Sequence, residues 1–389
     1  MSRLNKVLTL QNYYLPGHRG GGPIRAISNM IAALDGDAGF WVVTNDRDLG
    51  VNDPYPMVPR GQWTSVGPAN VLYIDPLHSL GTIWRLLRGF DHDILYLNSV
   101  FERRYSLWPL LLRRFGLIRD RLTILAPRGE LGRNALAIKG GRKRALLAAA
   151  MRIGLYDNLV WHATSHTEVA DIARFLEQYR CPGRIFQADD IVDTEKHTPP
   201  LAAPKAPGHA RLIYLSRIVP KKNLLFALSV LRQVHSRVTF DIYGPREDQR
   251  YWARCESAIA ALPPNITVNY CGVLPHDRVL DTFGQYDLFF FPTLNENFGY
   301  AVFEALKAGC PVLLSNETPW EEAAKCGAGW ILPLGDARPF ADRIEEVAKR
   351  GDVAQRAQSA LAREYAARVS ADPSAVSGHR DLFHLVEAG

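Results

Sequence analysis

Short apolar runs alternate along almost the whole chain with segments whose apolar residues recur at helical spacing. This alternation is the pattern of parallel sheets with crossover helices. In the first half the strand candidates are KVLTL (6–10), FWVVT (40–44), VLYI (71–74), ILYL (94–97), LTILA (122–126) and LVWHAT (159–164). Between the first two, Pro23 opens a predicted helix that carries Ile24, Ile27, Ile31 and Leu34 on one face. The second half repeats the design with RLIYLS (211–216), VTFDIYG (238–244), ITVNYCG (266–272), LFFFP (288–292) and PVLLSN (311–316). TPPLAAPKAPGHA (198–210) is rich in proline, lacks any period, and reads as a linker. The expected organisation is two doubly wound, Rossmann-like α/β domains of similar size, 1–197 and 211–372. The segment 373–389 is expected to close the chain as a helix.

Length agrees, because 389 residues exceed what one hydrophobic core usually serves. Hydrophobic residues at 47% and charged residues at 22% are ordinary for a globular chain. No run approaches the roughly 18–20 apolar residues of a membrane span. MSRLNKVLTLQNYYLPG has neither a long apolar stretch nor a small-residue cleavage site, so no signal peptide is expected. Cys181, Cys255, Cys271, Cys310 and Cys326 lie far apart with no CxxC pair, which favours a reducing, cytoplasmic compartment over a disulfide or zinc framework.

The net charge of +6 is unevenly spread. Residues 101–152 hold thirteen Lys or Arg against Glu102, Asp120 and Glu130. Such a block suggests an anionic partner, or else simply a solvated basic face. Leu107, Trp108, Leu111 and Leu112 between the pairs Arg103–Arg104 and Arg113–Arg114 have the spacing of an interfacial helix, which favours an anionic membrane surface. No RNP-type aromatic motif or DNA-reading helix supports a nucleic-acid partner.

In such sheets ligands collect beyond the carboxyl ends of the strands. After LFFFP, Glu296 lies in a loop and Glu304 lies inside a helix predicted to start near Phe298 and to end at Gly309. The amino terminus of that helix is a natural seat for a diphosphate, and Gly299 lets the backbone come close. Glu304 could then accept both hydrogens of a ribose diol, while Glu296 would face a sugar. After RLIYLS, Arg217 and Lys222 could neutralise a departing diphosphate, with Asn223 as a candidate cap of the next helix. After the first strand, Gly20, Gly21 and Gly22 precede the Pro23 helix and suggest a phosphate or sugar cradle, with His18 beside them as an acceptor-site candidate.

Together these residues resemble the retaining, GT-B-fold glycosyltransferases of family four. The pattern Glu-x-Phe-Gly-x4-Glu-Ala-x3-Gly-x-Pro-Val is met from Glu296 to Val312, and Ser-Arg-x3-Lys-Lys-Asn at 216–223. APRGELGRNALAIKGGRKRALLAAA (126–150) and WHATSHTE (161–168) look like a bacterial subgroup that builds surface polysaccharides, lipopolysaccharide or exopolysaccharide. The resemblance implies two domains facing a cleft, with 373–389 crossing back to the first domain, and transfer of a hexose from a UDP- or GDP-sugar to a lipid-linked or saccharide acceptor, at the inner face of the cytoplasmic membrane. It implies Arg217 and Lys222 on the diphosphate, Glu304 on the ribose and Glu296 on the transferred sugar. The backbone amides of Asn297, Phe298 and Gly299 would serve the donor. Front-face attack, assisted by the leaving phosphate, would need no essential metal and no cofactor, which agrees with the lack of an Asp-x-Asp motif.

Two stretches depart from the family. Asp189-Asp190-Ile191-Val192-Asp193 stands where many relatives have Pro-Asn-Gly-Val-Asp, which puts the turn there in question. Pro127-Arg128-Gly129-Glu130 stands where many have a histidine, making Arg128 or Glu130 candidates for sugar or acceptor contact. Competing readings are an epimerase or hydrolase of the same fold, or a non-catalytic sugar-nucleotide-binding partner. GHRGGG lacks the spacing of a dinucleotide fingerprint. His162 ends a strand and His166 begins a helix, so a packing role for His162 is expected rather than a shared metal. Phe289, Phe290 and Phe291 read as sheet core.

Overall fold

The computed structural model describes residues 4–132, 140–194 and 204–385. The first part of the chain forms β1 (Asn5–Leu10), α1 (Gly22–Ala33), β2 (Ala38–Asn45), β3 (Trp63–Val66), β4 (Ala69–Ile74), α2 (Ser79–Gly89) and β5 (Ile94–Asn98). It continues with α3 (Trp108–Arg114), β6 (Leu122–Ala126), α4 (Gly140–Arg152), β7 (Leu159–Ala163), α5 (His166–Tyr179) and β8 (Gly183–Gln187). The second part begins with β9 (His209–Leu215), α6 (Leu224–Leu231), β10 (Arg237–Tyr243), α7 (Gln249–Ala260), β11 (Ile266–Gly272), α8 (Val279–Phe283) and β12 (Leu288–Phe291). Then come α9 (Tyr300–Ala308), β13 (Val312–Ser315), α10 (Glu321–Lys325), β14 (Gly329–Leu332), α11 (Arg338–Lys349), α12 (Asp352–Ala371) and α13 (Ser374–Phe383). The chain divides into two compact units, residues 1–191 with 373–389, and residues 192–372.

In the first unit the strand order is β3-β4-β2-β1-β5-β6-β7-β8, with β3 antiparallel to β4 and the other pairs parallel. Every apolar run of the first half is a strand, and β3 and β8 are added at the two edges. Their partly exposed residues carry little apolar signal, which is why the pattern passes over them. The central strands are buried on both faces, so alternate residues feed two cores. Leu8 and Leu10 join Leu95, Leu97 and Leu125 on one side, while Val7 joins Ile27, Ile31, Ile94 and Ile124 on the other. Helix α13 packs on the second of these faces, where the Phe383 ring meets Phe40 edge-on at 5.6 Å and Tyr96 at 5.7 Å.

The second unit has the order β11-β10-β9-β12-β13-β14, every pair parallel. Phe289, Phe290 and Phe291 are buried in its core, as the apolar run predicts. Asp287, buried at the head of β12, accepts from Lys205 Nζ at 3.1 Å and from the Arg211 guanidinium at 2.9 Å. This pins the chain ahead of β9.

Over its described part the stretch 198–210 is tied to the second unit. Lys205 is held by Asp287, Gly208 N donates to Ala348 O at 2.7 Å, and β9 has begun by His209. Residues 198–203 lie outside the described residues. The compact units divide between Ile191 and Val192, earlier in the chain than residue 197. In the basic block, Leu107 and Leu112 are buried in the first unit's core and Trp108 and Leu111 pack against it. The amphipathic spacing there serves the fold, because the same 3.6-residue period satisfies a protein core or a bilayer equally. The 133–139 part of that block lies outside the described residues. Among the described residues no helix is long and apolar enough to cross a membrane.

Candidate functional site

Within the second sheet β9 is flanked by β10 and β12, so the connections leave β9 and β12 in opposite directions and a crevice opens beyond their carboxyl ends. The loop after β9 carries Arg217 and Lys222; the loop after β12 carries Glu296 to Gly299. Backbone and side-chain bonds stitch the two loops together. Leu294 N and Thr293 Oγ1 both donate to Lys221 O, at 2.9 and 3.2 Å. Asn223 occupies the cap position of α6 with φ 60°, but makes no side-chain cap bond. Its amide instead donates to Pro292 O at 2.9 Å, so the side chain ties loops together rather than capping α6.

Lys222 Nζ donates to the Glu296 carboxylate, and the two side chains are only 11% and 15% exposed. The ammonium also lies 5.4 Å from the centroid of the Phe291 ring. Burial alone would push the Glu296 carboxyl up. Lys222 beside it, with Lys221 and Arg217 farther off, outweighs burial and holds it below the usual carboxylate range. Arg217 is more open and pairs with Glu247 at 3.0 Å. Glu304, on α9, has His276 Nδ1 3.8 Å from its carboxylate.

Helix α9 starts at Tyr300, two residues later than the sequence predicts, because Gly299 still has φ 84°. A Cβ on Gly299 would stand 2.8 Å from Glu296 Cγ, so glycine is required both by conformation and by the close approach of Glu296. The helix has no side-chain cap and no acid in its first turn, which leaves a positive dipole end facing the loop. Phe298 shapes that loop: its ring packs on Tyr300 at 4.8 Å and Trp320 at 5.1 Å, and its carbonyl accepts from Trp320 Nε1. Gly309 closes the helix with φ 79°, as expected.

The first unit's candidates divide differently. Gly21 caps α1 with φ 70°, Gly22 is the first helical residue and Gly20 packs against Ile24 and Tyr13. Asp48 shapes this loop by accepting the backbone N–H groups of His18 and Arg19 at 2.9 and 3.1 Å, with His18 Nδ1 3.6 Å away. Arg128 is turned into the protein, bonded to Asp190 at 2.7 Å, Tyr96 Oη at 2.9 Å and Asn98 Oδ1 at 3.2 Å. Glu130 accepts from Ser99 Oγ at 2.8 Å and Val100 N at 2.7 Å. These bonds make both residues braces of the strand ends. Asp190 is thus held in the first unit, while Asp193 meets Lys307 at 2.9 Å in the second.

His162 is buried, bonded to Tyr96 Oη at 2.7 Å and Ala188 O at 2.8 Å, and its ring meets His379 of α13 at 5.0 Å. Burial pushes His162 well down and His379 to about 4. Among the described residues no group of three or more His, Cys, Asp or Glu is gathered to hold a metal ion. The sequence reading missed Asp48, Glu247 and His379 and gave Asp190 no partner, because each acts on a residue 30 or more positions away.

The fold defines a class. Residues 202–364 match the family model described as glycosyl transferases group 1. The whole chain superposes on a sucrose-phosphate synthase from Thermosynechococcus elongatus with a TM-score of 0.74, at 14% identity and over 99% of each chain. It superposes on HepE from Anabaena, solved with UDP and glucose, with a TM-score of 0.68, at 14% identity and over 99% and 100% of the two chains. WaaG, a glycosyltransferase involved in lipopolysaccharide biosynthesis, matches with a TM-score of 0.62, at 14% identity, over 98% and 100%. No curated protein sequence matches. The fold is GT-B, and the stretch that resembles glycosyl transferases group 1 lies within the second unit.

Proposed function

We propose that this chain is a retaining, metal-independent hexosyltransferase that uses a nucleotide-diphosphate sugar to extend a saccharide or lipid-linked acceptor in cell-surface polysaccharide synthesis. The observation that carries this reading is the Lys222–Glu296 pair set beside the uncapped amino terminus of α9, with Arg217 on the adjoining loop. The diphosphate is seated on the α9 amides and on Arg217 and Lys222. As the anomeric C–O bond breaks, negative charge grows on the phosphate oxygen, and two fixed cations in a partly dehydrated crevice stabilise it. The acceptor oxygen bonds to the same face of the anomeric carbon, and its proton passes to the departing phosphate. Glu296 accepts from the sugar hydroxyls, and Glu304, farther along α9, takes the ribose diol.

HepE, solved with UDP and glucose, and WaaG, named for lipopolysaccharide biosynthesis, support the donor class and the pathway. The test uses purified protein with UDP- and GDP-hexoses and bacterial lipid extract, following nucleotide release and the anomeric proton of the product by NMR. Retained configuration in a lipid-linked or saccharide product is expected. Epimer or free sugar without acceptor would favour the epimerase or hydrolase reading. No nucleotide release with any donor would end the proposal.

We further infer peripheral attachment to the inner membrane face. Leu77, Leu80, Trp84, Phe115 and Leu117 are exposed, in and around α2 and α3. Arg85, Arg88, Arg103, Arg104, Arg114 and Arg119 are exposed in and around the same elements. Trp108 Nε1 donates to Leu80 O at 3.0 Å, which joins the two helices. These replace the buried leucines as the apolar part of the basic surface, and each arginine near anionic lipid adds about 1 kcal/mol. Salt-sensitive flotation with anionic but not neutral vesicles is expected; equal recovery with both would remove the membrane role.

A further inference from the structure

The first unit has a switch point of its own. In the order β4-β2-β1-β5-β6, β1 stands between β2 and β5, so the carboxyl ends of β1 and β5 flank a crevice, as those of β9 and β12 do in the second unit. The parallel register pairs Thr9 with Tyr96 and Leu10 with Leu97, which puts Gln11 and Asn98 at the next level. Alternation sends Thr9, Gln11 and Asn98 to the face of Val7 and Ile94, the face covered by α1 and α13. The amino terminus of α1 lies at this end, because the helix returns from the strand it follows.

Three facts single out this place. Gln11 is only 4% exposed, yet neither atom of its amide has a hydrogen-bond partner among the described residues. Asn98 is 7% exposed, its Oδ1 is fixed by Arg128, and its Nδ2 has no partner; the Thr9 hydroxyl is likewise unpartnered. The twelve-residue helix α1 has no side-chain cap and no acid in its first turn. A native fold rarely leaves such groups unmatched, and when several gather at one strand end a ligand is the natural partner. They are neutral donors and acceptors rather than charges. Asp48 and Arg128, the nearby charges, are already engaged by His18 and Arg19 and by Asp190. That chemistry suits alcohols, since one amide can accept from one hydroxyl and donate to its neighbour.

We propose that Gln11 and Asn98, with Thr9, form a hydroxyl-reading subsite for a pyranose at the carboxyl ends of β1 and β5. It rests on the glycosyltransferase reading, and the pyranose is either the acceptor saccharide or the hexose of the donor. The test measures binding of methyl glucoside, methyl galactoside, methyl mannoside, UDP, UDP-glucose, GDP and GDP-mannose to the wild-type chain, Gln11→Met and Asn98→Leu by calorimetry and saturation-transfer NMR. Loss of about tenfold in affinity for a methyl glycoside on substitution identifies the acceptor arm. The same loss confined to the increment of a sugar nucleotide over its diphosphate identifies the donor arm. UDP or GDP binding should stay unchanged, and Gln11→Met should melt no lower than wild type, since it removes no internal bond, whereas Asn98→Leu also gives up the bond from Arg128.

Variants that keep the wild-type sugar increment, or a wild-type chain that shows none with any probe, overturn the subsite while nucleotide binding still stands. A melting point lowered by Gln11→Met together with unchanged sugar binding would also overturn it, by assigning the amide to the fold. Failure of UDP and GDP to bind the wild-type chain would instead strike the function on which the subsite rests.

Discussion

The two switch points occupy equivalent places in their sheets but carry opposite chemistry. Beyond β9 and β12 the groups are charged, and the central two are paired with each other; beyond β1 and β5 they are neutral amides and a hydroxyl. A buried charge must have a partner at rest, because an isolated ion loses several kcal/mol of hydration. A neutral amide can wait unpaired for about 1–3 kcal/mol. The difference teaches how each edge is kept ready: the charged edge holds its carboxylate with its own lysine, and the neutral edge is steadied from outside by Arg128 and Asp48.

The largest effects should come from breaking the charged edge. Lys222→Ala and Glu296→Ala are each expected to lower turnover by about 10²–10³-fold, measured as initial nucleotide release. Glu296→Ala should leave UDP affinity nearly intact, whereas Glu304→Ala should weaken it; equal losses in calorimetry would show that the two carboxylates do not serve different ends of the donor. Lys222→Ala should also destabilise the chain by about 3 kcal/mol, because it strands Glu296.

Next comes acidity, which acts on the first unit through its buried imidazoles. The unfolded chain takes up a proton on His379 near the ordinary value, 6.5, whereas the folded chain resists until about 4. The stability this gives is therefore full above 6.5 and is lost as pH falls from there through 4. The loss is on the order of 3 kcal/mol, with His162 acting in the same direction. Melting curves from pH 7.5 to 4.5 should show it, and His379→Phe should flatten the dependence. An unchanged slope would mean that the imidazoles are not what sets the acid limit.

A glycine comparison sharpens the contrast further. Gly299→Ala meets both φ 84° and Glu296 Cγ at 2.8 Å, and should cost about 1–3 kcal/mol with a clear fall in turnover. Gly21→Ala meets φ 70° but has nothing within 4 Å, so about 1 kcal/mol is expected, without steric damage. Smallest should be Glu247→Gln, which frees Arg217 from a pair whose side chains are both 38% exposed. Stability should change by less than about 1 kcal/mol and donor KM by no more than about threefold.

Much of the second unit was legible because its chemistry is contiguous. The loop and helix from Glu296 to Gly309 carry their spacing, glycine punctuation and apolar face in one stretch, and Phe289–Phe291 declare a strand buried on both sides. The partnership of Lys222 with Glu296, 74 residues apart, could not be read that way. Neither could the inward turn of Arg128, which depends on Asp190, 62 residues on. Leu107 and Leu112 were misread for a different reason: a helical apolar face does not say whether a bilayer or a sheet will cover it.

The amino-acid sequence by itself determined the alternation of strands and helices, the proline-rich stretch near residue 200, and the glycines at which two helices start beside loops. These are local matters, settled by side-chain period and backbone conformation within a few residues. The tertiary structure decided which charges neutralise one another, which polar groups are sealed in without a partner, and which apolar faces stay exposed. Those follow from strand order and register, which bring distant residues to the same sheet edge, and burial there turns a water-exposed polar group into one that must be matched.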